Sequence, residues 1–292
     1  MRTALTSASV VAALAIALAA ASSPARAEPA CGPDKLGVSR VAEIDTTGGP
    51  AFGEPFGRKD FLAPGEVVLT FDDGPSPATT RPILAALAEQ CTKATFFVVG
   101  SMVRAHPEVL KEEVAQGHTV GTHTWSHPNL KRLSSDRAKA QVEEAFTMAE
   151  KAAGQPIAPF FRYPYLSEPN AIVSYLRSRN IGQFAIDVDS LDWRYRNVKS
   201  VVRRVMAGLA QRGRGIILLH DIHASTAAAV PVLLAELKAH GYKVVHMTAK
   251  TPVETLVAYQ PPPEASKSHA SVRRAGVRHT RAHRRYVRTV SW

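Results

Sequence analysis

From Val67 to Met247 the chain alternates short apolar runs rich in β-forming residues with amphipathic helical segments, and this alternation constrains the fold more than any other feature. Parallel neighbouring strands can be joined only by a crossover, which is usually a helix. The pattern therefore predicts a parallel sheet with helices packed outside it. The candidate strands are Val67–Phe71, Ala94–Val99, Thr119–His123, Phe160–Tyr163, Phe184–Val188, Ile216–Leu219 and Lys243–Met247.

We expect an α/β fold, and within it a distorted (β/α) barrel with about seven parallel strands. An open doubly wound sheet is the alternative. Two segments between the strands show helical spacing of apolar residues, and Gly241 is a plausible stop for the second. The apolar positions are Val198, Val201, Val202, Val205 and Leu209 in one segment, and Val230, Leu233, Leu234 and Leu237 in the other.

The first 27 residues predict export. An apolar run over Val10–Ala21 follows Arg2, and Ala25-Arg26-Ala27 resembles a small-x-small cleavage site. Together these features are typical of a secretory signal peptide, and they place the mature protein in the periplasm or outside the cell. The run is short for a bilayer, so we expect no stable membrane span, with an N-terminal anchor helix as the alternative.

Residues 28–66 are rich in Gly and Pro and lack a clear period, which predicts an N-terminal extension packed on a folded domain at 67–260. The two cysteines are Cys31 and Cys91. An even number of cysteines in an oxidising compartment favours a disulfide between them. Sequence alone does not show that the two approach each other, so two separate buried thiols are the alternative.

The positive charge of the chain lies mainly in its last segment. Residues 261–292 contain eight Lys or Arg residues and one acid, Glu264, whereas residues 28–260 carry a net charge of only +2. The segment opens with three prolines and has no apolar period, so we expect a basic disordered tail. It would either tether the protein to an anionic envelope surface or be a dispensable solvated tail. Export and the lack of a recognition module argue against nucleic-acid binding.

Chemically capable residues lie at the carboxyl ends of the predicted strands or just after them. In a parallel α/β barrel the carboxyl ends of the strands form one face, and that face carries the active site. Scattered core or surface residues would not be expected to follow this rule. The residues in question are Asp72, Asp73, His123, His127, Arg162, Asp189, Asp192, Trp193 and His220.

Two groups of these residues suggest hydrolytic chemistry. His123 and His127 with one of the adjacent acids Asp72 and Asp73 form a His₂-carboxylate set, which suits a catalytic metal with an open position. Adjacent side chains on a strand point to opposite faces, so the second acid is free for proton transfer once the chain turns.

The second group is Arg162, Asp192 and His220. An acid beside a histidine fixes its tautomer and raises its pKa, so His220 could donate a proton to a leaving amine. Arg162 could orient the carboxylates. Trp193 and Leu218 lie near the same face, where walling a small acyl pocket and ordinary packing are equally open roles.

At this point the sequence resembles the polysaccharide deacetylase family, carbohydrate esterases that include chitin, chitooligosaccharide and peptidoglycan N-deacetylases. Five motifs match in order over about residues 65–248. They are Thr70-Phe71-Asp72-Asp73-Gly74-Pro75, His123-Thr124-Trp125-Ser126-His127, Arg162-Tyr163-Pro164-Tyr165, Asp189-Ser190-Leu191-Asp192-Trp193 and Leu218-Leu219-His220. The resemblance implies that the domain at 67–260 is a catalytic domain that removes N-acetyl groups from a polysaccharide of amino sugars.

The resemblance also implies individual roles. Asp73, His123 and His127 would bind a divalent metal, commonly zinc in this family. Asp72 would be the base that deprotonates the attacking water, and His220, supported by Asp192 and Arg162, the acid that protonates the departing amine. The backbone N–H of Tyr165 would help to hold the oxyanion, and Trp193 and Leu218 would line the acetyl pocket.

One position departs from the family pattern, because Leu166 stands where the family often has Gly. This departure leaves open the geometry of the turn at Tyr165. Two other functions are alternatives: a barrel glycosidase, which would also carry paired carboxylates but has no need of His123 and His127, and a non-catalytic carbohydrate-binding protein. A non-catalytic relative would be expected to have lost a catalytic position, and none is lost here.

Overall fold

The computed structural model describes residues 31–54 and 61–259. The predicted signal peptide at 1–27 and the predicted basic tail at 261–292 lie outside the described residues. The strands are β1 (Arg40–Ile44), β2 (Ala51–Phe52), β3 (Glu66–Asp72), β4 (Thr95–Val98), β5 (Thr119–Thr122), β6 (Phe160–Phe161), β7 (Gly182–Phe184), β8 (Val188–Asp189), β9 (Gly215–His220) and β10 (Lys243–Ala249).

Seven α-helices lie among the described residues, together with three single 3₁₀ turns. The helices are α1 (Pro77–Glu89), α2 (Gly100–Ala105), α3 (Pro107–Ala115), α4 (Ser135–Ala153), α5 (Asn170–Ser178), α6 (Val198–Arg212) and α7 (Ala224–Ala239). Both segments predicted as helices from apolar spacing are confirmed as α6 and α7. Within the part of the chain that is described, no helix is long and apolar enough to cross a membrane.

The strands form a parallel sheet, as the alternation of the sequence predicts. They lie side by side in the order β8, β9, β3, β4, β5, β6, β7, and each of these pairs is parallel. The two ends of this series, β7 and β8, are consecutive in the chain and separated only by residues 185–187. The fold is therefore an α/β fold with a parallel sheet whose first and last members are joined by three residues.

The fifth predicted strand is not continuous. Phe184–Val188 was expected as one strand, but it contains the break between β7 and β8. The N–H of Ala185 donates to Phe52 O at 2.8 Å, whereas the N–H of Asp187 donates to Ile216 O at 2.9 Å. The chain thus exchanges one neighbouring strand for another within three residues, which its apolar sequence does not reveal.

Residues of the predicted N-terminal extension contribute two strands to the sheet. β1 pairs with β10 over all five of its residues, and β2 pairs with β7. A disulfide joins Cys31 to Cys91, whose Cα atoms are 5.8 Å apart. The expected bridge is therefore present, and it attaches the start of the described chain to Cys91, two residues beyond the end of α1.

The two faces of the sheet bury separate apolar clusters. On β3, the alternate residues Val67, Leu69 and Phe71 join a large cluster with the helices. Val68 joins a second cluster made by the strands and by segments near β2, in which the rings of Phe52, Phe160 and Phe184 pack together. Because side chains alternate along a strand, Asp72 belongs to the face that carries Val68 and not to the helical face.

Candidate active site

The turn after β3 separates the two adjacent acids. Asp72 is the last residue of β3 and is buried, whereas Asp73 has a left-handed backbone with φ 78°. Asp tolerates this conformation better than most residues because its short polar side chain can bond locally. The turn directs the two carboxylates to different partners, as the sequence analysis expects.

Asp73, His123 and His127 converge. His123 follows β5 directly, and His127 comes four residues later in a turn where its own φ is 57°. Asp73 Oδ1 lies 3.8 Å from His123 Nε2 and 3.5 Å from His127 Nε2. One ligand atom from each of the three residues lies within 4.8 Å of the other two. Three nitrogen and oxygen donors at this spacing surround a volume that one small cation can fill.

The chemistry of these donors fits a divalent metal. His123 Nδ1 lies 2.7 Å from Arg162 O, and a carbonyl oxygen can only accept, so Nδ1 carries the proton and the lone pair of Nε2 faces Asp73. Burial lowers the pKa of His123 to about 3, which keeps the imidazole neutral. Asp73 Oδ1 is buried and has no hydrogen-bond partner among the described residues. A buried carboxylate oxygen without a donor is costly unless a cation serves as its partner.

The second acid, Asp72, is held by a buried arginine. Arg162 Nη1 donates to Asp72 Oδ1 at 2.7 Å and to Thr70 Oγ1 at 2.8 Å. Burial raises the pKa of Asp72, and the positive charge of Arg162 opposes that rise. The guanidinium lies 4.2 Å from the centre of the Phe97 ring, on the inner face of the sheet. Asp72 Oδ2 is 3.8 Å from His123 Nε2, so this carboxylate borders the three converging donors without being one of them.

Arg162 does not support the His220–Asp192 pair as the sequence analysis expects. Its remaining hydrogen bonds go to backbone oxygens, from Nε to Phe184 O at 3.2 Å and from Nη2 to Ala185 O at 3.1 Å. The reason is its place on the inner face after β6, next to β7, where it satisfies the carbonyls beside the break in the sheet. Arg162 therefore positions the acid that borders the metal donors.

The other side of the site is built from β9, α7 and the turn after β8. His220 Nδ1 lies 2.7 Å from Asp192 Oδ1, and the backbone N–H of His220 donates to Asp192 Oδ2 at 2.8 Å. Thr226 Oγ1 donates to the same Oδ2 at 2.6 Å. With three donors, the buried Asp192 carboxylate is fixed in place and in turn fixes the orientation of the His220 ring.

The environment of His220 favours its charged form. Burial by itself lowers the pKa of His220, but the hydrogen bond that its Nδ1–H donates to Asp192, the charge of Asp192, and the charges of Asp72 and Asp73 outweigh burial and raise this pKa to about 9. The same ion pair lowers the pKa of Asp192 despite its burial. At neutral pH His220 is thus a cation whose Nε2–H is available to a bound molecule.

The three predicted substrate residues differ in exposure. The Tyr165 side chain is 66% exposed, and its ring packs edge-on against His127 with 4.7 Å between ring centres. Trp193 is 49% exposed beside Asp192, whereas Leu218 is almost fully buried two residues before His220, on the same face of β9. Tyr165 and Trp193 therefore offer open aromatic surface at the site, and Leu218 offers at most a small patch.

Left-handed backbone is concentrated in the turns of the site. Eight non-glycine residues of the described chain have positive φ, and six of them lie in these turns: Asp73, Thr124, His127, Tyr165, Leu166 and Leu191. For a residue such as Leu166 the conformation costs about 1–2 kcal/mol, which is why a glycine is favoured there. Leu166, with φ 50°, nevertheless adopts it. Strain of this kind collects where geometry serves a function.

The sequence analysis missed several residues that support the site. Thr70 and Thr226 bind Arg162 and Asp192 as described above. Asp221 is buried beside His220, its N–H donates to Asp72 O, and its carboxylate accepts a hydrogen bond from Thr80 Oγ1. A Cβ on Gly74 would overlap the Asp221 carboxylate, so the glycine after Asp73 is required for this contact. Single Thr and Asp residues carry no distinctive pattern, although the position of Asp221 after a predicted strand was a usable signal.

Comparisons with known proteins agree with this geometry. A model of the family described as polysaccharide deacetylase matches residues 62–183. The chain is 42% identical over 181 residues to the peptidoglycan-N-acetylmuramic acid deacetylase PdaC of Bacillus subtilis (strain 168), a match that covers 61% of this chain but only 37% of that protein. It is 37% identical over 157 residues to a chitooligosaccharide deacetylase of Sinorhizobium fredii (strain NBRC 101917 / NGR234), covering 53% of this chain and 71% of that protein.

A solved structure shows the same fold. The peptidoglycan deacetylase Bd3279 of Bdellovibrio bacteriovorus superposes with a TM-score of 0.68 at 35% sequence identity, covering 75% of this chain and 62% of that one. The relatives in both comparisons are deacetylases of sugar polymers, and the matches include the strands that carry the converging residues. The chain therefore belongs to the polysaccharide deacetylase family.

Proposed function

We propose that this protein is an exported, metal-dependent hydrolase that removes N-acetyl groups from the N-acetylhexosamine units of a polysaccharide or oligosaccharide and releases acetate. The observation that carries the proposal is the convergence of Asp73, His123 and His127 next to a free buried acid, Asp72, and near a positively charged histidine, His220. Each group needed to hydrolyse an amide is present, and each is held by named contacts.

The first requirement is an electrophile. A divalent cation held by Asp73, His123 and His127 would polarise the acetyl carbonyl and lower the pKa of a water molecule to about 7. Zinc suits the two imidazoles and one carboxylate best. The buried Asp73 Oδ1 without a hydrogen-bond donor supports this assignment.

The second requirement is a base for the water. As the water oxygen attacks the carbonyl carbon, one of its protons passes to Asp72, whose Oδ1 is held by Arg162 and whose Oδ2 is the atom nearer to His123. Arg162 counters the effect of burial and favours the ionised form that can accept a proton. The backbone N–H of Tyr165 would also donate a hydrogen bond to the oxyanion of the tetrahedral intermediate.

The third requirement is an acid for the leaving group, because an amine cannot leave as an anion. His220 donates its Nε2 proton to the amide nitrogen as the C–N bond breaks, which yields acetate and a free amino sugar. Asp192 accepts from Nδ1 and so directs Nε2 outward. Trp193 and Leu218 would border the acetyl group in this arrangement.

The substrate class follows from the relatives named above, which act on peptidoglycan and on chitooligosaccharides. The disulfide between Cys31 and Cys91 supports an oxidising compartment and hence the proposed export. A glycosidase would use paired carboxylates alone and has no use for Asp73 with two imidazoles. We also propose that residues 261–292 bind an anionic envelope surface, because this segment carries most of the positive charge of the chain.

The proposal is tested by incubating purified protein with chitooligosaccharide, peptidoglycan and an N-acetylhexosamine exopolysaccharide. Acetate is measured without additions, with a chelator, and with chelator followed by zinc. We expect acetate from at least one polymer, loss of release with chelator, and recovery with zinc. Asp72→Asn serves as the matched variant that keeps the three metal donors but loses the base. Shortened sugar chains without acetate, or release insensitive to chelator, would contradict the proposal.

A further inference from the structure

A one-sided run of positive charge follows the fourth motif. Residues 193–220 contain seven Lys or Arg residues and no acid, although residues 28–260 as a whole carry a net charge of only +2. The seven are Arg194, Arg196, Lys199, Arg203, Arg204, Arg212 and Arg214. Arg194 and Arg196 precede α6, Lys199, Arg203 and Arg204 lie within it, and Arg212 and Arg214 lie at or just beyond its last residue.

The cations at the far end of α6 have partners within the fold. Arg212 forms an ion pair with Glu54 at 2.7 Å, and Arg214 Nη1 donates to Leu62 O at 2.7 Å. These arginines therefore have a structural explanation.

Three of the cations before or within α6 have no such partners in the described part of the chain. Within 31–54 and 61–259 no carboxylate lies within ion-pair distance of Arg194, Arg196 or Arg204, so their charge is not compensated locally. We refer to these three arginines as the basic rim. The positive end of the α6 helix dipole adds to their charge instead of offsetting it.

Two of these arginines are gathered on one aromatic ring. The guanidinium of Arg204 lies 3.9 Å from the centre of the Tyr195 ring, and that of Arg194 lies 5.5 Å from it. Arg204 Nε is buried and has no hydrogen-bond acceptor in the described chain. Two like charges held on one ring repel each other unless an anion binds between them. Because the ring already restrains both side chains, binding an anion would cost less side-chain entropy.

The third arginine connects the rim to the proposed acid. Burial lowers the pKa of His223, and the positive charges of His220 and Arg196 lower it further, so Arg196 is close enough to act on this ring. The His223 and His220 rings are 5.9 Å apart. Trp193, which is half exposed, separates Asp192 from Arg194 in the chain. Arg196 is therefore close enough to act on the neighbour of His220, and Arg194 directly follows the half-exposed Trp193.

We infer that the basic rim of Arg194, Arg196 and Arg204 binds carboxylate substituents of the sugar polymer, so that the preferred substrate is an anionic amino-sugar glycan and not a neutral one. This inference rests on the proposed function. Guanidinium forks match carboxylates geometrically and can bind them through two parallel hydrogen bonds. A neutral N-acetylglucosamine oligomer offers these guanidinium groups hydroxyl and carbonyl oxygens but no negative charge.

The test uses substrates that differ only in charge. A tetrasaccharide of alternating N-acetylglucosamine and N-acetylmuramic acid carries lactyl carboxylates, and its lactyl carboxamide derivative is the uncharged match. The same tetrasaccharide with its peptides attached tells whether lactyl or peptide carboxylates are recognised. For each substrate kcat/KM is obtained from acetate release, and the ratio of carboxylate to carboxamide is compared between proteins.

We expect this ratio to exceed one in the wild type and to fall about 3- to 10-fold in R194Q/R196Q, since each of the two exposed charge pairs contributes only modestly. It should also fall as salt rises from about 0.01 M to about 1 M. R212Q is the matched control. It removes one arginine charge at the last residue of α6, about 20 Å along the helix from its first residue, and should leave the ratio unchanged. Tyr195→Leu keeps the charges but removes the shared ring, and should lower the ratio by a smaller factor.

A ratio of one in the wild type, or the same ratio in R194Q/R196Q and wild type, would overturn the inference while leaving deacetylation intact. Absence of acetate from every substrate would instead overturn the proposed function. In that event calorimetric binding of the carboxylate and carboxamide tetrasaccharides, which requires no turnover, decides on the rim. Equal affinities would exclude it, and weaker carboxylate binding in R194Q/R196Q alone would support it.

Discussion

The two sides of the site use the same residue type in opposite ways. His123 directly follows β5 and His220 is the last residue of β9 in the same sheet, and both bind a partner through Nδ1 at 2.7 Å. Burial lowers the pKa of His123 to about 3, whereas Asp192 and the nearby acids overcome burial and raise the pKa of His220 to about 9. The main difference lies in the partner, a neutral carbonyl for one ring and a carboxylate for the other.

This contrast indicates how one face of the fold could hold both the proposed metal ligand and the proposed proton donor. A carbonyl fixes a tautomer without supplying charge, so His123 stays a neutral donor to a cation. A carboxylate fixes the tautomer and also stabilises the imidazolium. The partner of Nδ1, and not the histidine itself, decides the chemistry, and each of the following experiments changes one side only.

The largest effect is expected from His127→Ala, which removes one of the three metal donors. Metal affinity should fall by more than the about 10- to 100-fold that loss of an outer partner costs, and acetate release should be lost with it. Metal content after dialysis and turnover are both measured. His240→Ala, at an exposed histidine on the end of α7, is the control. Full metal occupancy with full activity in His127→Ala would refute the ligand assignment.

His220→Gln is expected to separate the two sides. Turnover should fall by about 10²- to 10⁴-fold, the usual contribution of a general acid, because the amine loses its proton source. Metal content should match that of the wild type, because Asp73, His123 and His127 are untouched. If the variant also lost its metal, metal binding would depend on His220, and the separation of the proposed metal donors from the proposed acid would be wrong.

Asp192→Asn is expected to leave His220 with an uncharged partner at Nδ1, as His123 already has. Without the carboxylate the pKa of His220 falls, so the pH above which turnover declines moves to lower values. The pH profile of kcat is compared with that of Asp136→Asn, a change at an exposed acid on α4. An unchanged alkaline limb would mean that His220 is not the group responsible for it.

The same substitution has a signature in stability. The folded-state pKa of His220, about 9, lies above its ordinary value of 6.5. Its stabilising contribution is therefore complete below about pH 6.5 and is lost as the pH rises through about 9. In metal-free protein the free energy of unfolding in urea should decline over this interval for the wild type, and the decline should be weaker in Asp192→Asn.

The smallest effect is expected from Thr226→Val, which removes one donor to Asp192 Oδ2 and keeps the shape of the side chain. The free energy of unfolding should fall by about 1.5–3 kcal/mol, the contribution of a hydrogen bond to a charged group. A carboxylate with fewer donors attracts the imidazolium more strongly, so the alkaline limb should move slightly upward, opposite to Asp192→Asn. A downward movement would contradict the role given to Asp192.

Much of the fold could be predicted because alternation and strand ends are local signals. The apolar period marked β3, β9 and α6, and the placement of Asp72, His123 and His220 directly after strands indicated one face. β1 and β2 could not be predicted, because β1 is defined by its partner β10 about two hundred residues later and β2 has only two residues. The break at 185–187 was hidden for a similar reason: Phe184-Ala185-Ile186 is apolar throughout.

Within the site, residue types that carry distinctive chemistry were found and those that support them were not. Arg162 was identified, but its partner was not, since a sequence does not tell which of several acids an arginine will reach. That choice depends on Thr70, Phe97 and the free carbonyls of residues 184 and 185, which meet only in three dimensions. Leu166 shows the same limit, because the structure keeps the left-handed turn without the expected glycine.

The pairing of β1 with β10 bears on how the polypeptide matures. The first strand of the described chain finds its neighbour only when the last strand is present, and the site itself is assembled from segments spread between Asp72 and Thr226. Contacts so distant along the sequence make folding slow, since long loops must be closed before any pairing rewards them. A nascent chain of this design cannot complete its sheet until β9 and β10 have been synthesised.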